Sequence, residues 1–292
     1  MDLNGKTAMI TGATSGIGKS AALEIARAGA SLVLPCRNID KGLETKNWLQ
    51  EETGNKQIEV IRMDLASMES IRKGASSFSS QHGRLDILIN NAGIMPNDDK
   101  LRRTEDGFEQ IFGINCLAPF LLTHLLYDSL ARSADARVVN ISSSLHNPEQ
   151  KFGRPVQFDF ENVNGERFYH SGVFYKNSKL AILWFTYELD RRWRDSGITV
   201  NAMCPGFVPE SIAEHHTGGR KWMFKYVLAR LPMATSLKKA AAMEAWMGGA
   251  DELQGISGKY FEQFKPVQSS PESYDQMKAE KFWELASQKC GI

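Results

Sequence analysis

The sequence predicts an α/β protein with a doubly wound, parallel β-sheet and helices on both of its faces. Short runs rich in Ile and Val alternate along the chain with longer stretches of helical periodicity, which is typical of parallel βαβ units. In two of these runs, residues 87–89 and 138–141, apolar residues stand at successive positions. A strand with one solvated face would alternate apolar and polar residues, so these strands are expected to be covered on both faces.

Strands and helices are predicted in alternating order along the chain. The expected strands are residues 7–11, 31–35, 57–62, 85–89, 136–142, 198–204 and 257–261. The expected helices are residues 16–29, 40–53, 67–81, 104–131, 172–194, 237–248 and, at the carboxyl end, 272–289. Two segments, 145–171 and 207–234, depart from the alternation and are predicted to form substrate loops. Because no linker or repeat interrupts the chain, we predict a single domain over residues 1–292.

Composition excludes several classes of protein. Of the 292 residues, 42% are hydrophobic and 24% are charged, which is ordinary for a folded globular chain. A formal net charge of +1 gives no reason to expect nucleic acid as a partner. The four cysteines include no Cys-x-x-Cys pair and the six histidines show no metal-ligand spacing. We therefore predict a reduced protein without a bound metal.

The sequence shows neither a secretory signal nor a membrane span. Its first residues lead directly into the first predicted strand, without the basic and apolar regions of a signal peptide. The longest apolar stretch, residues 116–126, is too short to cross a bilayer. We therefore expect a cytoplasmic protein with no transmembrane segment.

The turn after the first strand has the composition of a dinucleotide-binding loop. It reads Thr11-Gly12-Ala13-Thr14-Ser15-Gly16-Ile17-Gly18, between a predicted strand and a predicted helix. Glycines let the backbone approach a pyrophosphate, and the free N–H groups at the start of the helix attract an anion. The alternative is an ordinary glycine-rich turn, but the position after an N-terminal strand favours the nucleotide site. The hydroxyls of Thr14 and Ser15 are expected to add contacts.

Polar residues at the ends of the next two strands are expected to bind the adenosine half of a dinucleotide. Arg37 stands nineteen residues after Gly18, where an acidic residue would hold the two ribose hydroxyls of NAD. A guanidinium suits the 2′-phosphate of NADP instead, with Asn38 as a neutral neighbour. Asp64, which ends the third strand, can accept a hydrogen bond from the adenine amine. The alternatives are a solvated arginine and ordinary turn chemistry.

Two further strand ends carry small or polar residues. Asn91, Ala92 and Gly93 follow the fourth strand, where small side chains let a cofactor approach the backbone closely. Ser143 follows the fifth strand, where its hydroxyl can hydrogen-bond a substrate carbonyl. A turn in the first case and a helix cap in the second are the alternatives.

Tyr175 and Lys179 form a Tyr-x-x-x-Lys pair within a predicted helix. At positions i and i+4 the two side chains share one helix face. A phenol has a pKa of about 10, so the neighbouring cation is expected to lower that pKa toward the range useful for proton transfer. Such a pair also arises by chance, so its assignment depends on the other motifs.

In their order and strand context, these motifs resemble the short-chain dehydrogenase/reductase superfamily over essentially the whole chain. The resemblance implies a Rossmann-like fold that holds a nicotinamide cofactor across the carboxyl ends of the strands. It implies that Tyr175 exchanges the proton, that Lys179 binds the ribose and tunes Tyr175, and that Ser143 holds the carbonyl oxygen. Asn115 is implied to support a proton-relay water.

The same resemblance adds contacts with the cofactor. Pro205-Gly206-Phe207-Val208 is similar to the loop that lies against the nicotinamide, and Ile17 and Leu65 complete the implied contacts. Glu210 stands where the family commonly has a threonine, which leaves open how the nicotinamide carboxamide is held.

Within the superfamily, the sequence is similar to the retinol dehydrogenase-like carbonyl reductases. The similarity lies in residues 34–38, 121–126 and 257–261 and in the long interval between Ser143 and Tyr175.

These observations predict an NADP(H)-dependent oxidoreductase that interconverts a carbonyl and an alcohol on an apolar substrate, such as a retinoid or a lipid aldehyde. One alternative is a non-catalytic NADP(H)-binding sensor or scaffold, which would need none of Ser143, Tyr175 and Lys179. Another is an epimerase or dehydratase on a related fold. Residues 219–231 are expected to form a substrate lid, with peripheral contact to a membrane surface as the alternative. The sequence leaves open whether the protein is a homodimer.

Overall fold

An eight-stranded sheet with the order β3-β2-β1-β4-β5-β6-β7-β8 organises the fold. The computed structural model describes residues 1–147, 156, 158–214 and 217–292. The strands are β1 Thr7–Ile10, β2 Ser31–Cys36, β3 Ile58–Arg62, β4 Ile87–Asn90, β5 Arg137–Ile141, β6 Thr199–Cys204, β7 Tyr260–Glu262 and β8 Lys265–Val267. The chain reverses its direction of winding between β1 and β4, so the crevice at their carboxyl ends is the expected ligand site.

Helices cover both faces of the sheet. Along the described residues the helices are α1 Gly16–Arg27, α2 Ile39–Thr53, α3 Met68–Gln81, α4 Gln110–Phe112, α5 Ala118–Leu125, α6 Tyr127–Ala131, α7 Ser171–Arg192, α8 Pro209–Ala213, α9 Gly218–Trp222, α10 Leu237–Gly249 and α11 Gln276–Cys290. Short 3₁₀ and π turns connect several of them. None of these helices combines the length and hydrophobicity needed to cross a bilayer. The predicted doubly wound fold is confirmed.

Successive residues of a strand pack into the hydrophobic cores on opposite faces of the sheet. This explains why apolar residues stand at successive positions. Met9 and Leu88 pack with α3, α5, α7 and α11 on one face. Ile10 and Ile89, their neighbours in sequence, pack with α1 and α10 on the other. All four side chains are fully buried, because side chains alternate across a strand and both faces are covered.

One edge of the sheet carries an antiparallel strand that the sequence did not predict. β8 runs antiparallel to β7, and the two-residue turn Gln263-Phe264 joins them. Both turn residues have positive φ, 49° and 64°, a conformation that usually selects Asn or Gly. Phe264 packs against Trp246 with ring centroids 5.4 Å apart, and this contact stabilises a turn that lacks the usual sequence signal.

The predicted helix at 104–131 begins later and is interrupted. Residues before Gln110 form a turn that includes Gly107 at φ 83°, and the Glu109 carboxylate caps α4 by accepting from the N–H groups of Ile111 and Phe112. A π turn at Gly113–Leu117 then separates α4 from α5. The turn at Gly107 and the capping carboxylate of Glu109 therefore make the helix begin at Gln110 instead of residue 104.

Candidate active site

The glycine-rich turn places backbone at the start of α1 and close to β4. Gly12 and Gly16 have φ of 70° and 54°, values that L residues rarely adopt. A Cβ on Gly18 would lie 2.2 Å from Nδ2 of Asn91, so only glycine permits this packing. Asn91 in turn donates to the Thr11 carbonyl at 2.7 Å. The turn therefore has the shape that an approaching pyrophosphate requires.

A carboxylate from the residue after helix α8, Glu214, lies at the anion position of this turn. Oε2 of Glu214 accepts from the Gly16 N–H at 2.7 Å. Ser211 packs over the same glycine. A Cβ on Gly16 would lie 2.3 Å from the hydroxyl oxygen of Ser211. A helix N-terminus attracts negative charge, and here a side chain of the protein satisfies it.

Arg37 and Asp64 both line a groove of about 530 Å³ between β3 and α3. The Arg37 side chain is exposed. Asn38 caps α2 by accepting from the Lys41 N–H at 3.0 Å, and Oδ1 of Asp64 accepts from the Ala66 N–H at 3.0 Å. The structure therefore brings the two charged candidates to one groove and gives Asn38 and Asp64 local turn contacts as well.

A buried amide network forms the end of β4. Asn90 donates to Oδ1 of Asn140 at 2.8 Å and to the Thr123 hydroxyl at 3.0 Å. Asn140 in turn donates to the Thr186 hydroxyl on α7. These bonds fix β4, β5 and two helices relative to one another, so the following residues Asn91, Ala92 and Gly93 start from a rigid base.

Asn115 lies inside the π turn and reaches the loop after β4. Its side-chain amide pairs with the backbone of Ile94, accepting at 2.8 Å and donating at 3.0 Å, and also donates to the Ser178 hydroxyl at 3.1 Å. A Cβ on Gly93 would lie 3.4 Å from both the Asn115 oxygen and the Lys179 nitrogen. Asn115 and Lys179 therefore both lie close to Gly93, which has no side chain to separate them.

Tyr175, Ser143 and Lys179 converge at the carboxyl end of β5. The Ser143 hydroxyl hydrogen-bonds the Tyr175 phenol. The Lys179 ammonium lies 5.5 Å from the centre of the Tyr175 ring and donates to the Ile141 carbonyl at 2.9 Å. The spacing i, i+4 on α7 therefore does place both side chains on the face that meets the sheet.

The expected lowering of the Tyr175 pKa is wrong for this structure. Loss of hydration raises the pKa of the phenol to about 12, and the hydrogen bond with Ser143 offsets this only in part. Burial also lowers the pKa of Lys179 to about 8. The ammonium contacts a backbone carbonyl instead of the phenol oxygen, so desolvation outweighs the nearby charge.

His146, which carries no sequence motif, positions Ser143. Its Nε2 accepts from the Ser270 N–H at 3.0 Å, and its Nδ1 lies 2.6 Å from the Ser143 carbonyl oxygen. The ring is therefore neutral, with the proton on Nδ1. Ser270 lies 124 residues away in sequence, so nothing local to His146 could have indicated this link.

Acidification is expected to destabilise the protein through its buried histidines. Burial lowers the pKa of His146 and of His124, so the unfolded chain binds more protons, and the free energy of unfolding should fall as pH drops below about 6.5. His146→Asn should lower the free energy of unfolding by about 1–3 kcal/mol at pH 7. On further acidification, the variant should lose less stability than the wild type. Urea unfolding of both proteins between pH 7 and pH 5 measures this, and parallel pH curves would contradict it.

The loop after β6 is held by residues that follow the predicted lid segment. Gly206 has φ 84°, and a Cβ there would lie 2.3 Å from the Thr235 hydroxyl. Val208 is buried. Glu210 accepts from the Leu237 N–H at 2.7 Å, so its carboxylate binds the first turn of α10. Glu210, which stands where the family commonly has a threonine, therefore has a structural role.

The two predicted substrate loops are described in part. Residues 148–155, 157, 215 and 216 lie outside the described residues. A cavity of about 590 Å³ lies between the first loop and α7, and neither Tyr175 nor Lys179 lines it. Its lining includes Phe112, Phe158, Phe168, Val173, Phe174 and Asn177.

Comparison with known proteins identifies the family. The short chain dehydrogenase family model matches residues 6–153. Human Retinol dehydrogenase 13 is 38% identical over 297 residues, which cover 99% of this chain and 85% of that protein. The chain belongs to the short-chain dehydrogenase family. Human Retinol dehydrogenase 11 is 35% identical, covering 100% of this chain and 88% of its own, so this dehydrogenase lies on the retinol dehydrogenase-like branch.

Solved structures agree with the assignment. An uncharacterized protein from Mycobacterium Paratuberculosis is 28% identical with a TM-score of 0.76, covering 100% of this dehydrogenase and 95% of that chain. A short chain dehydrogenase from Shigella flexneri 2a complexed with NADP is 25% identical with a TM-score of 0.67. The match covers 90% of this dehydrogenase and 98% of that chain. The family is one of oxidoreductases that use a nicotinamide cofactor, and the glycine cradle at Gly12 and the anion position at Gly16 fit that group.

Proposed function

We propose that this protein is an NADP(H)-dependent oxidoreductase that interconverts a carbonyl and an alcohol on an apolar substrate of the retinoid or lipid aldehyde type. The convergence of Ser143, Tyr175 and Lys179 beside the glycine-rich turn carries the proposal. The names of the retinol dehydrogenase relatives support the substrate class. A single domain over residues 1–292 and a cytoplasmic location belong to the same proposal.

The proposed catalytic residues are Asn115, Ser143, Tyr175 and Lys179. In reduction, the bound nicotinamide supplies the hydride. Tyr175 donates its proton to the developing alkoxide, and the Ser143 hydroxyl donates a second hydrogen bond to the same oxygen. Asn115, fixed by the Ile94 backbone, holds the water through which Tyr175 regains its proton.

The proposed cofactor site extends from the nicotinamide loop to the adenosine groove. Lys179 binds the nicotinamide ribose, and Arg37 binds the 2′-phosphate that distinguishes NADP from NAD. The other proposed contacts are Gly12, Thr14, Ser15, Gly16, Ile17, Gly18, Asn38, Asp64, Leu65, Asn91, Ala92, Gly93, Tyr175, Pro205, Gly206 and Val208.

Steady-state oxidation of NADPH with a panel of aldehydes and ketones tests the proposal. Turnover that rises with the apolar size of the carbonyl compound is expected. Tight cofactor binding without turnover of any compound would contradict it and would favour a non-catalytic NADP(H)-binding sensor or scaffold.

Removing the charge of Glu214 is expected to tighten cofactor binding. The carboxylate holds the Gly16 N–H at 2.7 Å, so the pyrophosphate has to displace a like charge. Charge interactions at a helix N-terminus are worth about 0.3–1 kcal/mol, so Glu214→Gln should lower the Kd for NADPH by about two- to fivefold. Fluorescence titration of NADPH measures this. Glu24→Gln, which removes the same charge toward the other end of α1, is the control, and an equal effect of both variants would contradict the contact.

A further inference from the structure

Exposed apolar side chains concentrate in the segment between α8 and α10. Sixteen large hydrophobic side chains are exposed within the described residues, and six of them lie among twelve consecutive residues. The six are Trp222, Met223, Tyr226, Val227, Leu231 and Met233. Trp222 and Met233 are exposed to 60% and 62%. A soluble surface rarely leaves so many large apolar side chains together unless something binds them.

The same segment is strongly basic. No Asp or Glu occurs between Glu214 and Glu244, although the whole chain is nearly neutral at +1. Six exposed cations stand in that interval, and none of them forms an ion pair within the described part of the chain. They are Arg220, Lys221, Lys225, Arg230, Lys238 and Lys239. We call residues 220–239 the basic apolar segment.

The carboxyl-terminal part of the basic apolar segment is tied to the candidate site. Phe207 and Ala234 form a parallel bridge, and the Thr235 N–H donates to the Phe207 carbonyl at 2.7 Å. Thr235 also fills the space beside Gly206. The segment therefore rejoins the fold at the loop after β6, beside the proposed nicotinamide position.

We propose that the basic apolar segment binds the surface of an anionic lipid bilayer. Indole and phenol rings favour the interface between headgroups and hydrocarbon, and Lys and Arg side chains among them reach anionic headgroups. An acidic protein surface would match the cations but not the exposed apolar side chains. A second copy of this chain would set six cations against six, which disfavours a symmetric dimer through this face. The proposal does not depend on the proposed catalytic activity.

Co-sedimentation of the full chain with lipid vesicles tests the proposal. Vesicles of phosphatidylcholine with about 30% phosphatidylserine should bind the protein, and vesicles of phosphatidylcholine alone should bind it at least about fivefold more weakly. Raising the salt from about 0.05 to 0.5 M should release it, because surface charges are then screened.

Two variants separate the apolar and the charged contributions. Trp222→Ser and the double variant Lys221→Gln/Lys225→Gln should each weaken binding to the anionic vesicles by at least about fivefold. Met277→Ser, at a side chain exposed to 79% on α11, and Lys41→Gln/Lys56→Gln, at exposed lysines elsewhere, are the matched controls and should bind like the wild type. Circular dichroism melting curves establish that each variant is folded.

Three outcomes would overturn the proposal. The first is no binding to the anionic vesicles by the folded wild type. The second is binding that the control variants weaken as much as the segment variants do. The third is dimerisation in analytical ultracentrifugation that Trp222→Ser abolishes while vesicle binding stays unchanged, since the segment would then be a contact between copies.

Discussion

Tyr175→Phe is expected to retain NADPH binding and to lose most of its turnover. The ring still packs on α7, but the transferable proton and the hydrogen bond with Ser143 are gone. General acid catalysis contributes about 10²–10⁴-fold, so kcat should fall by that factor while the cofactor Kd changes little. The raised pKa of the phenol, about 12, keeps the proton on Tyr175 at neutral pH, as a donor in the reductive direction requires.

Tyr127→Phe provides the matched control for this result. Tyr127 lies on α6 and packs against Trp193 with ring centroids 4.8 Å apart. It precedes β5, whereas Ser143 follows the opposite end of that strand. Its loss of a hydroxyl should leave kcat within about twofold of the wild type. A Tyr175→Phe enzyme that kept more than about a tenth of the wild-type kcat would show that another group supplies the proton.

Arg37→Asp is expected to invert the preference between NADPH and NADH. Arg37 is exposed and lines the groove that Asp64 also lines, where its guanidinium can donate two hydrogen bonds to a 2′-phosphate. Such bonds to a charged group correspond to about ten- to 150-fold in affinity. Aspartate replaces this attraction by repulsion and offers a carboxylate to the ribose hydroxyls of NADH.

The measurement is kcat/KM for both cofactors at one low ionic strength, because salt screens an exposed contact. Arg62→Asp is the control, since Arg62 lines the same groove one strand away and its charge reversal should change the cofactor ratio far less. A wild-type preference for NADH, or equal changes in the two variants, would show that Arg37 is a solvated arginine at a strand end.

The parts of this fold that local sequence determines were predictable, and those that depend on distant partners were not. Apolar runs such as Ile87-Leu88-Ile89 specify strands covered on both faces, and the strand–glycine–helix order specifies the turn at Gly12–Gly18. The β7–β8 hairpin was missed because Gln263 and Phe264 lack the residues that usually mark such a turn. Its conformation depends instead on packing against Trp246.

The candidate site shows the same division. The i, i+4 spacing places Tyr175 and Lys179 on one face, but the pKa of the phenol depends on its burial and on Cys204 and Ser143, which are far from it in the sequence. The Glu214 contact with Gly16 joins residues 198 positions apart. Neither a spacing nor a motif near Glu214 carries that information.

The antiparallel strand β8 also decides where the sheet stops. In a two-residue hairpin the residues flanking the turn, Glu262 and Lys265, exchange hydrogen bonds, so Pro266 directs its backbone nitrogen away from β7. That nitrogen has no hydrogen to offer another strand, and the charged Lys265 stands exposed beside it. The last edge of the sheet thus rejects an added strand, which protects the protein against aggregation by edge-to-edge pairing.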